Sequence, residues 1–147
     1  MPRFLVDANI FLGLELGQSK SAECKRFLTS VQTGKLKATT TDFILDSVAV
    51  VMEDRGSPAS DIRKFFASLT LYKGLLVHNL DLKGRIVATE EMDRNGLSFD
   101  DSTSVAAMKR LGIKEIVSFD RDFDRVREIA RIEPKIASAR ILRFERS

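Results

Sequence analysis

Apolar positions along this chain fall into two alternating rhythms. Short, nearly continuous apolar or β-branched runs occur at FLV (4–6), KATTT (37–41), LLVHNL (75–80), EIVSF (115–119) and IARIE (129–133). Such runs, bounded by polar residues, predict strands. Between them the spacing changes to that of helices. Ile10 to Leu16 predicts a short helix ending at Gly17, and Ser21 predicts the cap of a helix through Val31, closed by Gly34. Residues 42–54 carry Ile44, Leu45, Val48, Val51 and Met52 on one broad arc, and Gly56 and Pro58 punctuate the chain beyond it. Further helices are expected over 59–71, over 81–94 with a stop at Asn95-Gly96, and from Ser98 to Gly112. Residues 120–128 predict a last short helix or turn. After Pro134 the tail KIASARILRFER is expected to add an edge strand or to mediate contacts.

Strands that alternate with helices imply an α/β fold with a mainly parallel central sheet flanked by helices. No internal repeat, low-complexity tract or linker interrupts it. The 147 residues therefore predict one domain over 1–134, with 135–147 as an extension packed on or extending it.

Composition narrows the chemistry. Hydrophobic residues at 44% and charged residues at 31% fit a folded globular chain. No apolar run approaches the roughly 20 residues needed to cross a bilayer, so no membrane partner is expected. Asp7, Asn9 and Glu15 interrupt the early apolar segment, which argues against a secretion signal. Cys24 and His78 are the lone cysteine and histidine. A disulfide and a zinc site of His and Cys ligands are thereby excluded, and a reducing cytoplasm is the expected location. Any bound metal must be held by oxygen, which favours Mg²⁺ or Mn²⁺. The net charge is only +3, but its distribution is uneven. Residues 90–101 are acidic and residues 121–146 are rich in arginine, an arrangement that suits a metal site beside a phosphate-binding surface and equally suits solvated helix faces.

Aspartates stand where strands hand over to helices. Asp7 follows FLV, Asp120 follows EIVSF, Asp42 and Asp46 lie in the first turns after KATTT, and Asp100 and Asp101 open another helix. In open α/β sheets the ligand crevice lies beyond the carboxyl ends of the strands. Gathering carboxylates there is electrostatically unfavourable unless a cation neutralises them. Divalent ions so held can activate water and stabilise a leaving oxygen in phosphodiester cleavage. Aspartate is also a preferred helix cap, so each one taken singly reads equally well as a cap or a ligand.

The wording of these segments resembles a known family. Leu5-Val6-Asp7-Ala8-Asn9-Ile10-Phe11 resembles the opening motif of PIN-domain nucleases. Leu97-Ser98-Phe99-Asp100-Asp101 is similar to the third motif of that family, and Ser118-Phe119-Asp120-Arg121-Asp122-Phe123-Asp124 to its fourth. Arg131-Ile132-Glu133-Pro134 is similar to a common ending. The resemblance spans about residues 3–134 in motif order. It implies a PIN-like fold in which Asp7, Asp101 and Asp120 bind metal, Asn9 and Ser118 support the site, and Asp122 is an additional ligand. Asp124 is expected to order the turn. The second motif departs from the family pattern, because Ser47 stands where a glutamate is usual. At about 100° per residue, Asp42, Asp46 and Glu53 share one polar stripe, and Asp46 is expected to supply the missing carboxylate through a small helix rotation.

The resemblance thus implies a Mg²⁺- or Mn²⁺-dependent endoribonuclease with Asp7, Asp46, Asp101 and Asp120 as catalytic residues. Arg121 and Arg125 are expected on the RNA backbone, where contacts give affinity rather than sequence choice. Single-domain PIN proteins of this size resemble toxins of toxin–antitoxin systems, which implies a small antitoxin partner and a homodimer. Two alternatives stand beside this reading: a PIN-fold RNA-processing or binding factor with weak or no cleavage, and a metal-dependent phosphohydrolase of small esters.

Overall fold

A computed structural model describes residues 3–146, with side chains as far as residue 141. Five strands form one sheet: β1 (Arg3–Val6), β2 (Lys37–Thr41), β3 (Leu75–His78), β4 (Glu115–Val117) and β5 (Ala130–Ile132). Their order across the sheet is β3-β2-β1-β4-β5, and every pairing is parallel. The helices are α1 (Ala8–Glu15), α2 (Ser21–Gln32), α3 (Asp42–Asp54), α4 (Ala59–Leu69), α5 (Leu82–Asn95), α6 (Phe99–Leu111) and α7 (Pro134–Arg146), with a 3₁₀ turn at Arg121–Arg125.

The order of strands decides where a ligand can sit. The chain builds outward from β1 through β2 to β3, then returns to lay β4 against the opposite side of β1. The loops after β1 and β4 therefore leave the sheet in different directions and open a crevice between them at the carboxyl ends. Register is tight at this point, with Val6 opposite Val117 and Asp7 N donating to Val117 O at 3.1 Å.

Burial explains the strand assignments. Phe4, Leu5, Val6, Ile116 and Val117 are wholly buried, as a central parallel strand covered on both faces requires. Phe4 meets Phe27 of α2 edge-on at 6.3 Å, and Phe11 of α1 meets Phe65 of α4 at 5.9 Å. Each such fully buried side chain contributes about 1.5–3 kcal/mol. The backbones of α1 and α2 approach closely at Gly13, where an added Cβ would stand 2.6 Å from Cys24 Sγ. That contact accounts for the buried cysteine as packing.

Several boundaries differ from the sequence expectation. The strand expected over 115–119 ends at Val117, so Ser118 and Phe119 belong to the loop that presents Asp120. The strand expected over 75–80 ends at His78. Ser21 is the first helical residue of α2 rather than its cap, and Lys20 occupies the cap position without a side-chain bond. The largest correction concerns the tail, which forms helix α7 and not an edge strand. Pro134 is preset for the first helical position. Ala137 is buried, Ile141 packs against the core, and the Arg140 guanidinium lies over the Phe4 ring at 5.9 Å and bonds Glu115. These positions recur at helical spacing, and α7 packs along α2.

Candidate active site

β1 delivers Asp7 to the rim of the crevice, where its carboxylate caps α1. Oδ1 accepts from Ala8 N at 2.8 Å, and Oδ2 accepts from Ser118 Oγ at 2.7 Å and Asn9 Nδ2 at 3.3 Å. Asp7 is only 8% exposed. Burial pushes its carboxyl above the ordinary range; the Ser118 and Ala8 bonds pull it back, and the charges of Asp120 and Asp100 push it up further, for a net rise.

β4 delivers the second wall. Ser118 is fully buried, and its hydroxyl is used completely: it donates to Asp7 and accepts from Asn9 Nδ2 at 3.2 Å and from Asp120 N at 2.9 Å. Asn9 closes the link by accepting from Phe119 N at 3.3 Å. Asn9 and Ser118 therefore lock the loop after β1 to the loop after β4. Asp120 then caps the 3₁₀ turn, with Oδ1 accepting from Asp122 N at 2.9 Å.

The third wall is the start of α6. Ser98 caps this helix, its Oγ accepting from Asp101 N at 3.4 Å and donating to Asp100 Oδ1 at 2.6 Å. Asp100 is thereby tied to the cap, whereas Asp101 meets the other carboxylates. Carboxylate oxygens of Asp101, Asp120 and Asp122 all lie within 4.8 Å of one another. Asp101 is pushed up to about 7, first by burial and then by the charges of Asp120, Asp7 and Asp100. A carboxyl so raised by its neighbours marks a place where negative charge is crowded and a cation would relieve it.

One sequence-predicted metal ligand, Asp46, falls elsewhere. Asp46 is exposed on α3 and stands outside the converging group. The reason is the rotation of α3. Ile44, Leu45, Val48 and Met52 are buried, and this arc turns Asp46 about 150° away from the core direction. Thr41 Oγ1 caps the helix at 3.0 Å, and Asp42 Oδ1 accepts from Leu80 N at 2.9 Å, which pins that rotation. Ser47 Oγ donates back to Phe43 O at 2.8 Å, and the Phe43 ring meets Phe99 of α6 edge-on at 6.0 Å. Asp124 faces Arg131, with Arg131 Nε at 3.0 Å from its Oδ1. Arg121 is exposed at the start of the turn. Arg125 is exposed as well, donating to Gly96 O at 3.1 Å and pairing with Asp122 at 3.3 Å.

Arg131 is a supporting residue that the sequence pattern placed only in a closing motif. From β5 it donates to Ser118 O at 3.2 Å while gripping Asp124, so it braces the loop that carries Ser118 and Asp120. Its sequence signal was an arginine within an otherwise apolar strand. Lys20 was likewise not singled out. Its ammonium lies 4.6 Å above the Phe119 ring and 3.2 Å from Glu133. A separate cavity of about 470 Å³, lined by residues including Arg3, Thr39, Leu76, His78, Leu111 and Ile113, contains none of these carboxylates.

Similarity to known proteins agrees with this architecture. The fold matches VapC20 of Mycobacterium tuberculosis, a sarcin-ricin loop-cleaving toxin, with a TM-score of 0.70 at 22% identity, covering 86% of this chain and 96% of that one. It matches a chain of a toxin–antitoxin complex from Klebsiella pneumoniae with a TM-score of 0.65 at 14% identity, covering 89% and 97%. It also matches VapBC2 of Rickettsia felis, bound to a DNA fragment from its promoter, with a TM-score of 0.63 at 11% identity, covering 89% and 98%. No curated protein matches in sequence. The PIN domain family matches residues 4–129, which include the motifs bearing Asp7, Asp101 and Asp120. The chain belongs to the PIN domain family.

Proposed function

We propose that this protein is a metal-dependent endoribonuclease that hydrolyses RNA phosphodiesters, acting as the toxin of a toxin–antitoxin pair. One observation carries the reading: Asp101, Asp120 and Asp122 converge beside the buried Asp7 at the carboxyl edge of the sheet. The donor set is oxygen alone, which suits Mg²⁺ or Mn²⁺ rather than zinc. Asp7, Asp101, Asp120 and Asp122 would hold the metal, with Asp122 replacing the acid that α3 does not contribute. Bound metal would supply activation of water and neutralisation of the developing charge on the phosphate.

The chain's own residues have distinct tasks in this scheme. Asn9, Ser118 and Arg131 keep the loops after β1 and β4 in register, so that the carboxylates are preorganised. Arg121 lies exposed beside Asp120 and would take a non-bridging phosphate oxygen, positioning the backbone without reading its sequence. The likeness to chains of toxin–antitoxin complexes supports a small antitoxin partner, and a homodimer is proposed beside it. No helix among the described residues is long and apolar enough to cross a membrane, and the proposed location is the cytoplasm.

A second reading, a PIN-fold RNA-binding factor with weak or no cleavage, is favoured by one observation: α3 presents Ser47 and an outward Asp46 instead of an inward acid. Incubating the purified protein with single-stranded RNA and, separately, a nucleoside monophosphate, in Mn²⁺ or in EDTA, separates the two. RNA cleavage lost in EDTA and in Asp101→Asn supports the nuclease. Cleavage that persists in EDTA sinks the metal mechanism. RNA binding without cleavage selects the second reading, and release of phosphate from the monophosphate alone points to a small-ester phosphohydrolase.

A further inference from the structure

Arg125 joins two loops that carry the acidic group. Its Nη2 lies 3.3 Å from Asp122 Oδ1, and its Nη1 donates to Gly96 O at 3.1 Å. Asp122 and Arg125 are three apart in a 3₁₀ turn, the spacing at which side chains eclipse, so the pairing arises from the local backbone. Gly96 ends α5 with φ +66° and stands two residues before Ser98, the cap of the helix that presents Asp101. The guanidinium therefore reaches from the turn holding Asp120 and Asp122 to the loop that precedes Asp101.

The charge balance makes this contact informative. Among ion pairs of the described residues, Asp122–Arg125 is the one that engages a carboxylate of the converging group. The carboxylates of Asp7 and Asp120 accept hydrogen bonds from neutral donors, and among the described residues none of Asp7, Asp101 and Asp120 has a cationic partner.

We propose that Arg125 is the built-in counter-charge of the metal site, a positioning residue that occupies Asp122 until a divalent cation competes for the same carboxylate. This inference rests on the metal-dependent reading above. It assigns Arg125 a first role different from a standing contact with RNA. In the metal-free chain the guanidinium neutralises Asp122 and steadies the loop at Gly96. Once Asp122 is drawn to a cation, the guanidinium is released at the rim, where a phosphate oxygen is its natural replacement. Affinity for metal is then held below what four carboxylates alone would give.

The test is calorimetric titration of Mn²⁺ into the full chain and three variants: Arg125→Gln, Asp122→Asn and the double substitution. Glutamine keeps a donor for Gly96 O while removing the charge. Both side chains of the pair are more than half exposed, so the fold should survive, and circular dichroism checks it. Arg125→Gln is expected to bind Mn²⁺ roughly two- to fivefold more tightly, the scale of an exposed ion pair. Asp122→Asn binds more weakly, and Arg125→Gln has no further effect in that background. If Arg125→Gln binds Mn²⁺ as the wild type does, or more weakly, the counter-charge role is overturned and the metal reading stands. Equal tightening in the Asp122→Asn background also overturns it, because the charge would then act without Asp122. A wild-type chain that takes up no Mn²⁺ overturns the metal reading itself.

Discussion

Ser118 donates a 2.7 Å hydrogen bond to Asp7 across 111 positions of sequence, and both residues are buried. This one hydroxyl joins the two loops that flank the crevice between β1 and β4. Removing it leaves a buried carboxylate short of a donor, and such losses cost about 1–3 kcal/mol. Ser118→Ala should therefore lower stability by that amount in denaturant unfolding, while Ser118→Thr, which keeps the hydroxyl, should stay much closer to wild type. Equal losses in the two variants would show that packing, not the hydrogen bond, sets the effect.

Asp101 titrates near neutrality in the folded chain, far above the ordinary 3.8. Between those two values the folded state binds a proton that the unfolded state has released. Stability therefore falls as pH rises through this window and levels off above about 7. The upward shift of Asp7 acts in the same direction. In EDTA, Asp101→Asn should melt higher than wild type at pH 8, and the gap should shrink toward pH 5. A gap that does not change with pH would contradict the crowding of charge. Added Mn²⁺ should raise the wild-type melting temperature more at pH 8 than at pH 5, since the ion competes with that proton.

Asp7→Asn separates stability from activity. Asparagine keeps an oxygen to accept from Ala8 N and removes a charge that burial disfavours, but its amide nitrogen would face the donors Ser118 Oγ and Asn9 Nδ2. The variant should stay folded in EDTA, within about 1–3 kcal/mol of wild type, yet fail to cleave RNA in Mn²⁺. Thermal melts and a cleavage assay on one preparation decide this. A variant that is both unstable and inactive would leave the lost cleavage without a specific cause.

The fourth acid can be assigned by comparing Asp46→Asn with Asp122→Asn. Asp46 lies outside the group that Asp122 joins. Cleavage should be retained within about twofold in Asp46→Asn and fall by at least tenfold in Asp122→Asn, the scale of losing more than about 1.4 kcal/mol of transition-state stabilisation. Reversal of that order would return the role to α3.

Local features of this chain were readable from sequence, and relations between distant ones were not. Apolar FLV with Asp7 at its end, and the opening of a helix at Ser98-Phe99-Asp100-Asp101, are patterns written within a few positions, so the strand and the helix start were evident directly. The rotation of α3 is different in kind. The stripe shared by Asp42, Asp46 and Glu53 was legible, but only burial of Ile44, Leu45, Val48 and Met52 against the rest of the fold says that the stripe faces outward. The brace from Arg131 to Ser118 O depends on β5 lying beside β4, a pairing that no local pattern encodes. Tail residues such as Ala137 and Arg140 eluded the sequence pattern for a related reason. Their partners are α2, Phe4 and Glu115, far away in the chain, and a short stretch with few strong apolar residues supports either period without them.

The strand order carries a consequence for when this protein can act. Asp7 emerges early in synthesis, but its partner Ser118 and the acids at 101, 120 and 122 come after most of the chain has been made. Until β4 docks beside β1, the nascent polypeptide holds scattered aspartates and no crevice. Contacts so remote in sequence form late, because a long loop must close before they repay its entropy. Under the proposed function, a ribosome-bound fragment ending before β4 would lack the assembled acidic group, and cleavage would be withheld until the chain is nearly complete.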